Sequence, residues 1–69
     1  MKYKYCYKRE HDLIAFPDFP LNVMAIGSKE EIRENVRLAL EGYIKHLIEM
    51  ELDIPLPLYK SDDEVVVEI

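Results

Sequence analysis

Apolar and polar residues follow a helical period through the longest patterned stretch of the chain, residues 28–51. On a helical wheel with about 100° per residue, the apolar side chains of this stretch fall in one sector roughly 100° wide. This stripe consists of Ile32, Val36, Ala39, Leu40, Tyr43, Leu47 and Met50. Ser28 and Glu31 have the spacing of a capping box, which predicts the helix start. The prolines of Ile54-Pro55-Leu56-Pro57 cannot continue a helix, so its end is predicted within residues 49–52.

Four shorter segments have patterns typical of β-strands. Residues 1–8 alternate strictly between two faces, with Met1, Tyr3, Tyr5 and Tyr7 on one and Lys2, Lys4, Cys6 and Lys8 on the other. This period of two is that of a half-buried strand, and the tyrosine face is expected to meet the helix. Residues 13–16 and 21–26 predict two further strands, and residues 64–69 carry the strongest strand signal.

Together the segments predict an α+β fold, a two-layer β-β-β-α-β sandwich with one long helix on one face of a four-stranded mixed sheet. A right-handed crossover gives the strand order 3-2-1-4, with the last strand parallel to the first. The chain, residues 1–69, is expected to form one domain with a small core. Its last strand would lie at an edge, where Val65, Val66 and Val67 favour pairing with another chain. We therefore expect a homodimer or homotetramer.

Two stretches are candidates for contact with a partner protein. The first is Phe16-Pro17-Asp18-Phe19-Pro20, in which two prolines fix a turn. Phe16 and Phe19 can fill one end of the core or, with Asp18, form a rigid edge that a partner contacts, and both can hold together. The second is the helix face of Leu38 and Gly42, which lies off the apolar stripe. It can be an interface or ordinary solvent-exposed surface.

Net charge bears on the class of partner. Nine basic and fourteen acidic side chains leave a formal charge of −5. Binding to a nucleic-acid backbone depends mostly on cationic contacts to phosphates, so direct nucleic-acid binding is not expected. An acidic domain suits a basic protein partner better.

Catalytic and metal-binding patterns are absent from the sequence. Ser28 is assigned to the helix cap, and Ser61 has no histidine near it in sequence. One cysteine, Cys6, cannot form an internal disulfide, and with two histidines it does not make a zinc site. We therefore expect neither an enzyme nor a bound metal or cofactor. No apolar run has the roughly 18 residues of a membrane span, and a single thiol suits the reducing cytoplasm.

Several of these features resemble the HicB family of antitoxins. The similar elements are Lys2-Tyr3, the Phe16-Pro17-Asp18-Phe19-Pro20 stretch, Ser28 with Glu30-Glu31, Asn35, Ala39-Leu40-Glu41, Tyr43 and the Ile54-Pro55 exit with Pro57. The resemblance covers nearly the whole chain. It implies a partial RNase H-like domain without nuclease activity that neutralises HicA, a small basic RNA-cleaving toxin, by covering its RNA-binding surface.

An alternative from another class is a stand-alone HicB-like homo-oligomer without a toxin, acting as a scaffold or ligand-binding module. Many HicB antitoxins also carry a C-terminal DNA-binding domain. The sequence up to Ile69 does not include one, so DNA binding is not expected of it.

Overall fold

The structure, a computed structural model, describes residues 1–69 and contains five strands and one helix. Their bounds in chain order are β1 Lys2–Cys6, β2 Lys8–Glu10, β3 Leu13–Phe16, β4 Leu21–Met24, α1 Lys29–Glu49 and β5 Glu64–Glu68. The strands form two antiparallel sheets, one of β1 and β5 and the other of β2, β3 and β4 in that order.

The predicted single four-stranded mixed sheet with the order 3-2-1-4 is therefore wrong. One cause is the break at Tyr7, which divides the first predicted strand into β1 and β2. At the break, the Tyr7 N–H donates to the Asp63 carbonyl (2.9 Å), and the Tyr7 carbonyl accepts from the Ser61 hydroxyl (2.7 Å). Before the break the chain pairs with β5, and after it the chain pairs with β3.

The direction of β5 was also predicted wrongly, because β5 runs antiparallel to β1. Residues 50–63 connect α1 to β5 without regular secondary structure apart from the turn that ends the helix. Extended, they reach about 45 Å, whereas the longest dimension of the molecule is 33 Å. The connection is therefore long enough to run the length of the molecule, so β5 can return in the opposite direction.

The predicted helix start is confirmed, and the helix ends by a mechanism other than its prolines. The Ser28 hydroxyl accepts from the Glu31 N–H (3.2 Å), and the Glu31 carboxylate accepts from the Ser28 N–H (3.3 Å). At the other end, Leu52 N–H donates to the Leu47 carbonyl and Glu51 N–H to the Ile48 carbonyl. These two bonds form a Schellman motif, with Glu51 in the left-handed region at φ 56°.

Twelve buried side chains form the core between α1 and the sheets. They are Tyr5, Tyr7, Ile14, Phe16, Phe19, Ala25, Ile32, Val36, Leu40, Ile44, Leu47 and Val67. Ile44 lies outside the predicted stripe, whereas Met50 belonged to it and is exposed. No helix of the structure is both long and apolar enough to cross a membrane.

Candidate partner-binding surface

The corner, residues 16–20, places its two aromatic rings in the core. The Phe19 N–H donates to the Phe16 carbonyl (3.0 Å), which closes a turn with Pro17 at its second position, where the fixed φ of proline is favoured. Phe16 is 2% exposed and Phe19 4%. The Phe19 ring lies edge-on to Tyr5 at 4.5 Å and to Tyr43 at 5.4 Å between centroids. Neither phenylalanine is thus accessible to a partner in this conformation.

Asp18 is the corner residue that reaches outward. Both of its carboxylate oxygens lie 3.3 Å from the Tyr59 backbone N, whose N–H they accept. This contact joins the corner to residues 54–59, here named the proline segment. The Tyr5 hydroxyl donates to the Pro55 carbonyl near the other end of the segment. The proline segment is therefore held near both ends by hydrogen bonds, one to Tyr5 of β1 and one to Asp18 of the corner.

Between these two hydrogen bonds, the proline segment presents two exposed leucines. Leu56 is 70% exposed and Leu58 77%. The Leu58 N–H donates to the Leu56 carbonyl (2.9 Å), a three-residue turn with Pro57 at its centre. Because proline fixes φ near the value that this turn requires, the backbone between the two leucines is restricted before any partner binds.

Burial also affects the hydroxyl at one end of the segment. Burial raises the pKa of the Tyr5 hydroxyl, and the negative charges of Asp18 and then Tyr3 add to the effect. The phenol therefore keeps its proton at neutral pH and remains a donor to Pro55. Asp18 thus supports the proline segment by accepting from the Tyr59 N–H.

The second predicted contact region lies on the outward side of α1. Leu38 is exposed, and a methyl group added at Gly42 would meet nothing within 4 Å. Neighbouring side chains form a charged network, in which Arg37 pairs with Glu34 and Glu41, and Lys45 pairs with Glu41. This face is open, but the structure joins it to neither the corner nor the proline segment by a side-chain hydrogen bond.

The predicted oligomer edge lies on β5, which has a neighbour on one side only. β5 pairs with β1, where Val65, Val66 and Val67 are opposite Tyr5, Lys4 and Tyr3. Val67 is buried in the core, Val65 is half-buried and Val66 is exposed. The backbone N–H and C=O groups on the other side of β5 face no strand, so they are available to another chain.

Hydrogen bonds and burial assign structural roles to the reactive side chains. Ser28 caps α1, and the Ser61 hydroxyl donates to the Tyr7 carbonyl. Cys6 is buried, with its sulfur 3.5 Å from the Ser61 carbonyl. No three His, Cys, Asp or Glu residues are grouped so that they could hold a metal ion.

Leu56 and Leu58 were not predicted as contact residues, because the prolines beside them were interpreted only as the signal that ends the helix. The available signal was the alternation in Pro55-Leu56-Pro57-Leu58, since two prolines so close together keep the segment out of a helix or a central strand.

Comparisons with protein-family models, with curated proteins and with solved structures find no match for this chain. The likeness to the HicB family therefore rests on the sequence features quoted above.

Proposed function

We propose that this protein is an antitoxin of the HicB type, which binds a small basic RNA-cleaving toxin of the HicA type and covers its RNA-binding surface. The observation that carries the proposal is the pair of exposed leucines on a segment held at both ends. In this proposal the protein acts in the cytoplasm, has no catalytic activity of its own, needs no cofactor or metal, and makes no direct contact with nucleic acid.

The geometry of the proline segment favours binding over a purely structural role. Leu56 and Leu58 contribute little to the core, since each is at least 70% exposed. Burying a leucine side chain in an interface contributes about 1.5–3 kcal/mol. A segment that is already restricted loses less conformational entropy on binding than a free loop does. Two leucines next to Pro57 are therefore suited to enter an apolar pocket of a partner.

Charge supports a basic partner. The chain carries a formal charge of −5, and the exposed acids Asp53 and Asp62 lie on either side of the proline segment in sequence. Acidic groups around an apolar contact increase the rate of association with a basic protein. They also oppose the approach of RNA, whose phosphates bind the same basic surface of a toxin.

Co-expression tests the proposal. A HicA-type toxin arrests growth when it is expressed alone, and this protein is expected to restore growth. The double variant Leu56→Ser/Leu58→Ser is expected to lose most of this protection. Ile26→Ser is the matched control, because Ile26 is 66% exposed and lies outside the proline segment. Leu38→Ser tests the outward face of α1 as the alternative contact.

Failure to restore growth with any HicA-type toxin would contradict the proposed function. Equal loss of protection in the double variant and in Ile26→Ser would contradict the assigned surface. Circular dichroism spectra and melting temperatures of all variants establish that a loss of protection is not a loss of folding.

The free edge of β5 favours a second candidate function, a homo-oligomeric scaffold without a toxin. In either case we propose that two copies, as a dimer or as the unit of a tetramer, pair through the exposed backbone groups beside Val65, Val66 and Val67. Val66→Lys is expected to convert the assembly to a monomer in sedimentation experiments while leaving the core intact. A stable oligomer that binds no toxin would favour the scaffold, and a monomeric wild-type protein would rule it out.

A further inference from the structure

One pocket of about 80 Å³ lies on the side of the molecule where α1 begins. It is lined by Tyr7, Arg9, Ile14, Lys29, Ile32, Arg33 and Asp63. The buried side chains of Ile14 and Ile32 form its apolar part. By volume the pocket has room for several waters or for one tetrahedral oxyanion.

Three cationic side chains from two elements converge on this pocket. Arg9 is paired across the sheet with Ile14, so both side chains lie on the same face. Lys29 and Arg33 are four residues apart on α1, which places them on one side of the helix. With Asp63 as the single acid, three cations and one anion give the lining a formal charge of +2. The chain as a whole carries −5.

None of these three cations takes part in an ion pair. The five ion pairs of the chain use Lys4, Lys8, Arg37 and Lys45. Lys2 and Lys60 are also unpaired, but they do not line the pocket. Arg9 donates only through Nε, to the His11 carbonyl at 3.1 Å, which fixes the side chain and leaves the terminal nitrogens free. In a chain with more acids than bases, three unpaired cations around one cavity are available to an anion from solution.

Tyr7 adds a neutral donor. Its side chain is 9% exposed and lines the pocket, and its hydroxyl makes no hydrogen bond within the protein. Burial and the charge of Asp63 raise the pKa of this hydroxyl, while Arg33 and Arg9 oppose the shift. The phenol therefore remains protonated at neutral pH and can donate to an oxyanion.

We propose that this pocket is a binding site for a phosphate group, held by Arg9, Lys29 and Arg33 with the Tyr7 hydroxyl as an additional donor. Guanidinium groups donate two parallel hydrogen bonds to phosphate oxygens, a geometry that a spherical halide does not use. The group can be free phosphate or the phosphate of a small monoester. The site is independent of toxin binding.

Phosphate titration at constant ionic strength, balanced with chloride, tests the proposal by NMR. We expect saturable shifts centred on Tyr7, Arg9 and Arg33, and a higher melting temperature in phosphate than in chloride. Arg33→Gln is expected to weaken binding about tenfold, the effect of losing one charged contact. Arg37→Gln is the matched control, because it removes the same charge from α1 outside the pocket.

Two further variants give results of opposite sign. Tyr7→Phe keeps the ring and removes the donor, so binding should weaken. Asp63→Asn removes the one negative charge at the pocket, so binding should tighten. Equal effects of Arg33→Gln and Arg37→Gln, or shifts spread over all basic residues, would overturn the proposal, because they indicate general screening.

A parallel titration with a nucleoside monophosphate distinguishes the two sources of phosphate. Similar dissociation constants mean that the pocket recognises the phosphate group alone. Tighter binding of the monophosphate means that the neighbouring surface also contacts the nucleoside. Absence of binding by both ligands would overturn the site.

Discussion

Asp18 and Tyr59 are 41 residues apart in sequence, and their contact fastens the proline segment to the corner. The aspartate side chain accepts the Tyr59 backbone N–H with both oxygens at 3.3 Å. No backbone carbonyl accepts that N–H, so one carboxylate determines where the chain lies after Leu58. The surface proposed for partner binding depends on this contact.

Asp18→Ala is expected to lower the free energy of unfolding by about 1 kcal/mol, the usual contribution of one such hydrogen bond. It should also speed amide hydrogen exchange at Tyr59 and weaken partner binding by loosening the segment around Leu58. Asp62→Ala is the control, because Asp62 is exposed and its side chain makes no hydrogen bond or ion pair. Similar exchange rates at Tyr59 in wild type and Asp18→Ala would contradict the role given to the carboxylate.

Alkaline pH should destabilise the fold through Tyr5 and Tyr7. Burial, the largest cause, raises the pKa of both hydroxyls above the ordinary value of 10.0. The folded state then holds its protons more tightly than the unfolded state does, so stability is full below pH 10 and falls as pH rises through the folded pKa values. Urea denaturation at several alkaline pH values measures the slope of the free energy of unfolding against pH.

Tyr5→Phe removes one of these two groups and should make that slope shallower. Tyr59→Phe is the matched control, because it removes a hydroxyl from a half-buried tyrosine that lies outside the core. A free energy of unfolding that does not change with pH above 10 would contradict this prediction. It would mean that folding does not raise the pKa of either hydroxyl.

Phe19→Ala is expected to act on folding and only indirectly on binding. Removing a buried aromatic ring costs about 3–5 kcal/mol, whereas a chain of 69 residues is typically stable by roughly 3–10 kcal/mol. The variant should therefore be largely or wholly unfolded at moderate temperature. Leu58→Ala, in contrast, should change the free energy of unfolding by less than about 0.5 kcal/mol, as is usual at the surface. Chemical denaturation of both variants measures these two changes in the free energy of unfolding.

Local signals in the sequence were enough to find α1 and the strands β1, β3, β4 and β5, whereas β2 was not predicted as a separate strand. The Ser28 and Glu31 side chains define the helix start within four residues of chain. The strand predicted over residues 13–16 has the bounds of β3, and the one predicted over residues 21–26 ends two residues earlier, as β4 Leu21–Met24. These features need no information from distant parts of the chain.

Tertiary contacts account for what sequence reasoning missed. Ile44 is buried because α1 packs against both β4 and β5, so its buried face is wider than one narrow stripe. The direction of β5 depends on residues 50–63, which have no period that indicates their course. The phosphate pocket assembles Arg9 and Arg33 from distant segments, and each is ordinary in its own sequence context.

Glu51→Gly should stabilise the protein. Glu51 occupies the left-handed position of the Schellman motif at φ 56°, a conformation that costs a residue with a Cβ about 1–2 kcal/mol. Glycine adopts it freely but loses more entropy on folding. The net gain is expected to be about 0.5–1 kcal/mol in the free energy of unfolding. Glu49→Gly, within the last turn of α1, is the control and should destabilise by a similar amount.

Gly42→Ala distinguishes the two candidate binding surfaces. Within a helix, glycine is less favourable than alanine by about 1 kcal/mol, and the added methyl group meets nothing within 4 Å. The variant should therefore gain about 1 kcal/mol in the free energy of unfolding. Because the proposed contact is the proline segment, Gly42→Ala should neutralise the toxin as well as wild type does. A variant that is more stable but no longer protects would show that a partner approaches the helix backbone closely at Gly42, and the binding surface would then be the outward face of α1.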